Sequence, residues 1–419
     1  MIGLCDCNNF FVSCERVFNP SLEGKPVIVL SSNDGCVIAR SNESKALGIK
    51  MGQPLFQIRK TVDDNKIIIH SSNYQLYGDM SHRVMQTLKG EVASIEVYSI
   101  DEAFLDLSGI DTSQLKSRGE ALSRKIRRNT GIPVSIGIAP TKTLAKIASK
   151  LCKSHPKFNG ACLLYRPEDV KKVLSTYPIS DVWGIGRRST AMLKMYGITT
   201  AEQFVLTSEE WVSAKMGLTG LRTWRELRGE PSILFDERPT DRRSIMVSRS
   251  FSREISQIDE LRSALAEFLS SAAEKLRQQN SVAAQMQVFI LTNRFHTAEP
   301  QQTEGQIIRF DTPTNSTLEL MQGVTRALKL LYRPGYSYKK AGVILYDISS
   351  DSGVQGALFD DIERDKHSSL MQTLDSINSR WGKHSIHLGA VTNDKPRVSS
   401  EHLSPKYTTS WQDILKIKV

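Results

Sequence analysis

Two carboxylates, Asp101 and Glu102, stand side by side in V-Y-S-I-D-E-A-F-L-D-L, Val97 to Leu107. Like charges this close each raise the cost of ionising the other. A divalent cation removes that cost, and Mg²⁺ commonly takes one or two carboxylates together with substrate phosphates. Taken alone, such a pair more often reads as a solvated acidic turn. A third carboxylate, Asp6, ends the apolar run of residues 2–7, just before Asn8 and Asn9. That position suits a ligand where backbone groups open outward, and equally a cap of the next helix. Cations accompany the acids. Arg40 and Lys45 lie around the start of the helix in S-N-E-S-K-A-L-G, where the helix dipole favours an anion. Lys142, Lys146 and Lys150 recur every four residues and share one helix face. Three cations there without carboxylate partners repel, and an anionic ligand would relieve them. For Arg40 and Lys45 the plain alternative is a surface helix with solvated charges.

Rigid elements must hold these side chains. Alternation across Val97 to Leu107 predicts two short strands and a tight bend carrying Asp101 and Glu102. Residues 2–7 form a further strand. F-F-V-S-C-E-R-V-F then has helical spacing, with Phe10, Cys14 and Val17 on one side. Residues 26–31 are a strand, Leu115 to Asn129 a basic amphipathic helix and Pro133 to Ala139 a strand. A helix starting at Thr141 follows. Pro167 to Gly229 reads as helical, centred on V-W-G-I-G-R-R-S-T-A-M-L-K-M-Y-G-I. That stretch predicts a helix–hairpin–helix. Gly184 and Gly186 let backbone N–H groups approach a phosphate, next to Arg187 and a helix N-terminus. Such contacts hold a duplex without reading its sequence; the alternative is an ordinary turn between helices.

After a polar, proline-containing linker, Asp236 to Arg243, the pattern gives a strand (Ile245 to Phe251) and a helix (Ile258 to Gln279). Two strands follow (Met286 to Leu291, Gln306 to Phe310), then a helix (Leu318 to Tyr332) and a strand (Ala341 to Ile348). Strand–helix–strand twice over predicts a split βαβ module. Arg249, Arg253, Arg309, Lys339 and Lys340 lie on or beside its strands, a cationic sheet for a phosphate backbone. In the last segment Gln355, Leu358 and Phe359 sit in a Ser/Gly/Asp-rich stretch that reads as a docking peptide or a loop folded back on the protein. Met371 to Ile377 reads as a short helix, and Leu403 to Val419 as a terminal strand or arm.

Charge narrows the partners. The chain has 55 Lys and Arg against 45 Asp and Glu, a net charge of +10. Ile348 to Val419 holds nine acidic and nine basic residues, so the whole excess lies in Met1 to Asp347. A basic body with a neutral tail points to a polyanion on the body and another partner on the tail. The length of 419 residues suits about three domains. No apolar run of about 18 residues occurs, so no membrane span is expected. The N-terminus reads as a strand and not as a signal peptide. Six cysteines without zinc spacing read as reduced thiols of a cytoplasmic protein.

In order along the chain stand Asp6, Phe10-Phe11, A-R-S-N-E-S-K-A-L-G, Y-S-I-D-E-A-F-L-D, G-I-A-P-T-K-T-L-A-K-I-A and W-G-I-G. This series resembles the Y-family DNA polymerases, and S-N-D-G-C-V-I-A-R and L-S-P-K-Y-T-T resemble their UmuC-type branch, plasmid-borne relatives included. The resemblance implies an α+β multidomain, right-hand fold. Residues 1–20 and 75–166 would be palm and 21–74 fingers. Residues 167–235 would be a helix–hairpin–helix thumb, 236–243 a linker and 244–348 a split βαβ little finger. Residues 349–419 would be a C-terminal tail for partner binding. It implies error-prone translesion synthesis in DNA repair and the SOS response. Asp6, Asp101 and Glu102 would be catalytic and hold two Mg²⁺ ions, with the Cys7 carbonyl as a further ligand. Lys45, Lys146 and Arg40 would hold the triphosphate and Phe10 and Phe11 would line the nucleotide site, with Phe11 as steric gate. Gly184, Gly186, Arg187, Arg249, Arg253, Lys339 and Lys340 would bind DNA. Gln355, Leu358 and Phe359 would bind a sliding clamp, although Gly356 stands where Leu is usual. Asn42 and Lys45 stand where many members carry Tyr and Arg. Primer–template, deoxynucleoside triphosphates, a processed UmuD-type dimer and a RecA filament are the remaining expected partners. A palm-fold nucleotide cyclase would explain the carboxylates but not the helix–hairpin–helix. A non-catalytic DNA-binding scaffold would explain the charge but not three acids at metal positions.

Overall fold

In the computed structural model the described residues are 1–236, 241–357, 362–382, 385–391 and 400–415. They divide into two compact units, one of residues 1–239 with 400–419, the other of residues 240–399.

The first unit opens with β1 (Ile2–Cys7) and α1 (Phe10–Phe18). A small excursion follows through β2 (Val27–Leu30), β3 (Val37–Arg40), α2 (Asn42–Ala46), α3 (Leu55–Asp64) and β4 (Ile68–Ser71). The chain returns through α4 (Tyr74–Lys89), β5 (Ile95–Val97), β6 (Glu102–Asp106), α5 (Thr112–Thr130), β7 (Val134–Ala139), α6 (Lys142–Ser154) and β8 (Ala161–Leu163). Helices α7 (Pro167–Thr176), α8 (Arg187–Met195), α9 (Ala201–Val205) and α10 (Glu209–Leu227) complete it.

The main sheet has the order β5-β6-β1-β7-β8. Both of its faces are covered, which is why β1 reads as an apolar run and not as an alternation. Cys5, Ala103 and Leu105 face one core with α1, α4 and α5 residues; Leu4 and Phe104 face another with Leu144, Ile147 and Ala148 of α6. Gly137 brings α6 onto β7. A Cβ there would lie 2.2 Å from the Ala145 carbonyl oxygen and 2.2 Å from the Ser149 nitrogen. The excursion forms its own sheet, β3-β2-β4, over Ile28, Leu30, Ile58 and Val62.

The second unit runs β9 (Ile245–Ile255), α11 (Ile258–Gln278), β10 (Ser281–Thr292), β11 (Thr303–Thr314), α12 (Thr317–Leu331), β12 (Tyr338–Ser350) and α13 (Arg364–Trp381). The sheet order is β11-β10-β12-β9, with every neighbour antiparallel. Strands β9 and β10 therefore run the same way with β12 between them, and β11 and β12 do so with β10 between them. Both are split βαβ units, as the element order predicts. Helix α13 is longer than the expected Met371–Ile377. It is fixed to the module by Arg277, whose guanidinium grips Asp375 at 2.6 and 2.7 Å.

The tail is not one region. The described residues from 349 to 391 belong to the second unit, whereas 400–415 pack on the first. Of the two forms expected after Leu403, strand or arm, the described residues show an arm, irregular with a single 3₁₀ turn at Trp411–Asp413. No helix among the described residues is long and apolar enough to cross a membrane.

Candidate active site

Asp6 and Glu102 are register partners on β1 and β6, so their side chains leave the sheet on the same face. That face carries α6. Asp101 sits in the turn before β6, tied there by Ser99. The Ser99 hydroxyl donates to Asp101 Oδ1 at 2.5 Å and accepts from the Asp101 and Glu102 N–H groups at 3.2 and 3.0 Å. The Cys7 N–H donates to the Asp101 carbonyl at 2.9 Å, pinning the end of β1 to the turn. Register brings Asp6 and Glu102 together, and the Ser99-tied turn adds Asp101 where the two inner strands β1 and β6 meet it.

Burial pushes the Asp6 carboxyl up to about 7; Lys153 opposes that, and Glu102 and Asp101 add to it. Lys153 Nζ lies 2.5 Å from Asp6 Oδ2, and Lys146 Nζ lies 2.9 Å from Glu102 Oε2. Each of these two acids is thus paired with a lysine of α6. Among the described residues, the one His/Cys/Asp/Glu group with ligand atoms all mutually close is instead Glu254, His296 and Glu299, in the second unit and largely exposed.

The lysine face of α6 corrects an expectation. Lys142, Lys146 and Lys150 are not without partners: Lys142 is buried on Glu96 at 2.5 Å, Lys146 meets Glu102, and Lys150 meets Asp181 at 2.6 Å. Each partner comes from another element, which spacing within one helix cannot reveal. Lys153, seven residues after Lys146 and so two turns along the same face, is the cation on Asp6.

A cleft of about 270 Å³ lies there, lined by Asp6, Cys7, Asn9, Phe10, Phe11, Arg40, Lys45, Asp101 and Lys153 among others. Lys45 Nζ donates to Asn9 Oδ1 at 2.5 Å and to Asn42 Oδ1 at 3.2 Å. Its pKa is lowered by burial, and further by Arg40 and Lys153. Arg40 donates to the Ile49 carbonyl at 2.5 Å, while its Nε is buried without a partner. Lys45, Arg40 and Lys153 beside Asp6 and Asp101 form a site for a polyanion and a divalent cation together.

Residues 5–150 match the impB/mucB/samB family model, 167–198 that family's helix–hairpin–helix motif and 242–358 its C-terminal domain. Residues 368–417 match a domain of unknown function. Protein ImpB of Salmonella typhimurium is 41% identical over 418 residues, 99% of each chain. Protein UmuC of Salmonella typhimurium (strain LT2) is 38% identical over 422 residues, 100% of each. The chain belongs to the impB/mucB/samB family. DNA polymerase IV of Desulfatibacillum aliphaticivorans is a more distant relative, 28% identical over 402 residues, 93% of this chain and 96% of that one. A Y-family DNA polymerase chimera of Dbh and Dpo4 superposes with a TM-score of 0.67 at 23% identity, covering 84% of this chain and all of that one. This UmuC-type chain therefore has the Y-family polymerase fold.

In this impB/mucB/samB chain the two adjacent phenylalanines part company. Phe10 is 4% exposed, whereas Phe11 is half-buried and stacks on Tyr77 at 4.5 Å. In the family's helix–hairpin–helix, Gly184 has φ +90°, and a Cβ there would lie 2.5 Å from Thr223 Oγ1. Gly186 is the N-cap of α8 and Arg187 its exposed first residue.

The expected cations of the C-terminal module differ in their surroundings. Arg253 is ion-paired with Glu260, and Lys339 Nζ reaches the Ser252 carbonyl at 3.4 Å. Arg249 is exposed, and Lys340 pairs in register with Ser250. Gln355 is described, while Leu358 and Phe359 lie outside the described residues. Lys153, Asn9 and Tyr77 are site residues that the motif reading passed over.

Proposed function

We propose that this chain is an error-prone translesion DNA polymerase that adds deoxynucleotides to a primer 3′-OH in DNA repair and the SOS response. The observation that carries the proposal is the cleft itself, with Asp6 and Asp101 on one wall and Lys45, Arg40 and Lys153 beside them. The high pKa of Asp6 marks a carboxylate whose charge lacks enough compensation, which suits a divalent cation. Asp6, Asp101, Glu102 and the Cys7 carbonyl would hold two Mg²⁺ ions, which supply stabilisation of the attacking and leaving oxygens in phosphoryl transfer. Lys45 and Arg40 bind and orient the triphosphate, joined by Lys146 and Lys153 once freed from the acids they now neutralise. As a point charge, Lys45 grips a phosphate without the fork of an arginine, and Asn9 and Asn42 hold it in place.

Phe11, backed by Tyr77, excludes a 2′-hydroxyl. The hairpin at Gly184 and Gly186 with Arg187, and the strands carrying Arg249, Arg253, Lys339 and Lys340, hold the duplex by its phosphates. A processed UmuD-type dimer, a RecA filament and a sliding clamp are the protein partners of this reading, the clamp at Gln355, Leu358 and Phe359. A cyclase has no use for the hairpin, and a scaffold has none for three half-buried acids at one site. The test is primer extension by the purified chain with Mg²⁺, with and without those partners. Templated incorporation supports the reading; tight DNA binding with no incorporation under any of these conditions overturns it.

A further inference from the structure

The C-terminal segment that returns to the first unit lies across both places where the chain passes between the main sheet and the β3-β2-β4 excursion. The outgoing passage follows α1, and Tyr407 stacks on Phe18, the last residue of that helix, at 4.8 Å and 5°. The returning passage is residues 71–73, between β4 and α4. There the Ser71 N–H donates to the His402 carbonyl at 3.0 Å, and the His402 N–H donates to the Ser71 hydroxyl at 3.0 Å. The Asn73 carboxamide works in two directions. Its oxygen caps α4 at the Leu76 N–H, 3.2 Å away, and its nitrogen donates to the Ser404 and Pro405 carbonyls at 3.3 and 3.2 Å and to the Ser404 hydroxyl at 3.0 Å. The excursion itself is held by Glu401, whose N–H donates to Asp34 at 3.0 Å.

Beneath this segment lies Glu15, 1% exposed. Among the described residues the basic group within ion-pair reach of it is His70, 3.9 Å away, whose pKa burial lowers, so it is neutral near pH 7. A buried carboxylate without a counter-ion depends on hydrogen-bond donors. Glu15 Oε1 has two, the Tyr77 hydroxyl at 2.7 Å and the Ser404 hydroxyl at 3.1 Å. Tyr77 is the ring under Phe11. An unbroken chain of contacts therefore runs from Ser404 through Glu15 and Tyr77 to the ring that faces the nucleotide cleft.

We propose that residues 401–407 are a strap that locks the excursion onto the main sheet and, through Ser404, Glu15 and Tyr77, fixes Phe11, so that the C-terminal segment sets sugar selectivity. This rests on the polymerase reading for its consequence but not for its geometry. Ser404 is a positioning residue, remote from the reacting atoms. Without its hydroxyl, Glu15 loses one of two donors, Tyr77 is free to follow the carboxylate, and Phe11 loses a fixed backing. The incoming sugar is then held less strictly, while the carboxylates and lysines stay in place.

The test uses the full-length chain with Ser404→Ala, Ser404→Thr and Tyr407→Leu. Trp411→Ala serves as control, since Trp411 is 92% exposed on the same segment. Two quantities are read: ribonucleotide against deoxynucleotide incorporation opposite one template base, and amide hydrogen exchange over residues 74–77. Ser404→Ala and Tyr407→Leu should each lower discrimination by roughly three- to tenfold, the scale of one hydrogen bond, and speed exchange at 74–77. Deoxynucleotide incorporation should change less than ribonucleotide incorporation. Ser404→Thr should restore the parent values, and Trp411→Ala should match them. Parent-like discrimination and exchange in both variants overturn the strap. If the parent itself incorporates no nucleotide, the polymerase reading fails, and exchange at 74–77 decides the strap alone: faster exchange supports it, unchanged exchange overturns it.

Discussion

Lys153 Nζ lies 2.5 Å from Asp6 Oδ2, so an ammonium rests where the ends of β1 and β6 have gathered negative charge. Even so, burial keeps the Asp6 carboxyl up at about 7, against an ordinary 3.8. A proton and a divalent cation then compete for the same oxygens. Between those two values the folded chain binds more protons than the unfolded one. This group's contribution to stability therefore falls as pH rises through that window. A bound divalent cation cancels that loss. Mg²⁺ should raise the melting temperature more on the alkaline side of 7 than on the acid side. The Mg²⁺ concentration for half-maximal extension should rise as pH falls below 7, by up to about tenfold per unit for one competing proton. Melting curves and Mg²⁺ titrations across that range check both; a pH-independent Mg²⁺ effect would remove Asp6 from the ligand set.

Asp101→Asn and Glu102→Gln should each abolish extension while leaving primer–template affinity within about twofold, since phosphate contacts lie on other elements. Glu102→Gln also releases Lys146 from its 2.9 Å pair, so nucleotide affinity should hold or rise as turnover disappears. Single-turnover kinetics separate the two quantities. Near-normal turnover in either variant would undo the metal assignment.

Much of this was legible beforehand, for reasons that differ by residue. The alternation in Val97 to Leu107 located the hairpin, because side-chain direction on a strand is a strict property of the backbone. The module of β9 to β12 followed from element order alone. Lys142 misled because helix spacing says which residues are neighbours along one surface but nothing about what packs on it. Glu96, 46 positions earlier, waits there. The strap at residues 401–407 was hidden for the same reason. Its anchor Asn73 is 331 positions upstream of Ser404, and a polar segment that docks by hydrogen bonds has no hydrophobic period to announce it.

Salt dependence tests the duplex contacts. Each cation that neutralises a phosphate adds about 0.9 to the slope of log affinity against log salt. Arg249 is exposed and Lys340 stands in a strand, whereas Arg253 is committed to Glu260. Replacing Arg249 and Lys340 together by alanine should lower the slope by about two. Arg253→Ala should lower it less than either. Binding isotherms at several salt concentrations decide; an unchanged slope in the double variant would assign the duplex to the helix–hairpin–helix alone.

The proposed clamp-binding role of Gln355, Leu358 and Phe359 predicts a dissociation between synthesis and stimulation. Replacing Gln355, Leu358 and Phe359 together by alanine should leave distributive extension intact and abolish its stimulation by a sliding clamp. Gly356 costs the peptide an apolar contact that Leu would make, so micromolar or weaker affinity is expected on the scale of one lost side chain, about 2 kcal/mol. Extension with and without clamp on a long template measures it, and surviving stimulation would move the docking site elsewhere on the chain.

The choice between the two phenylalanines is the most direct test of the cleft. Phe10 also borders the cleft but is 4% exposed among core residues, and truncating it should act mainly through the core, at a cost of about 3–5 kcal/mol. Phe11 stands at the cleft with its ring against Tyr77 at 14° and edge-on to Tyr74 at 5.9 Å. A ring held from two sides cannot yield to an added oxygen without strain, and it offers a 2′-hydroxyl no hydrogen bond in return. Rejection of a ribonucleotide is then steric. Phe11→Ala should raise ribonucleotide incorporation by at least about a hundredfold, the loss expected for about 3 kcal/mol of steric exclusion, while deoxynucleotide incorporation persists. Phe11→Tyr should discriminate nearly as well as the parent. Phe10→Ala should lower the melting temperature and leave the ratio of the two sugars unchanged. The measurement is incorporation of one ribonucleotide against its deoxy counterpart opposite a single template base. If the ratio moves with Phe10 and not with Phe11, the wrong ring faces the sugar.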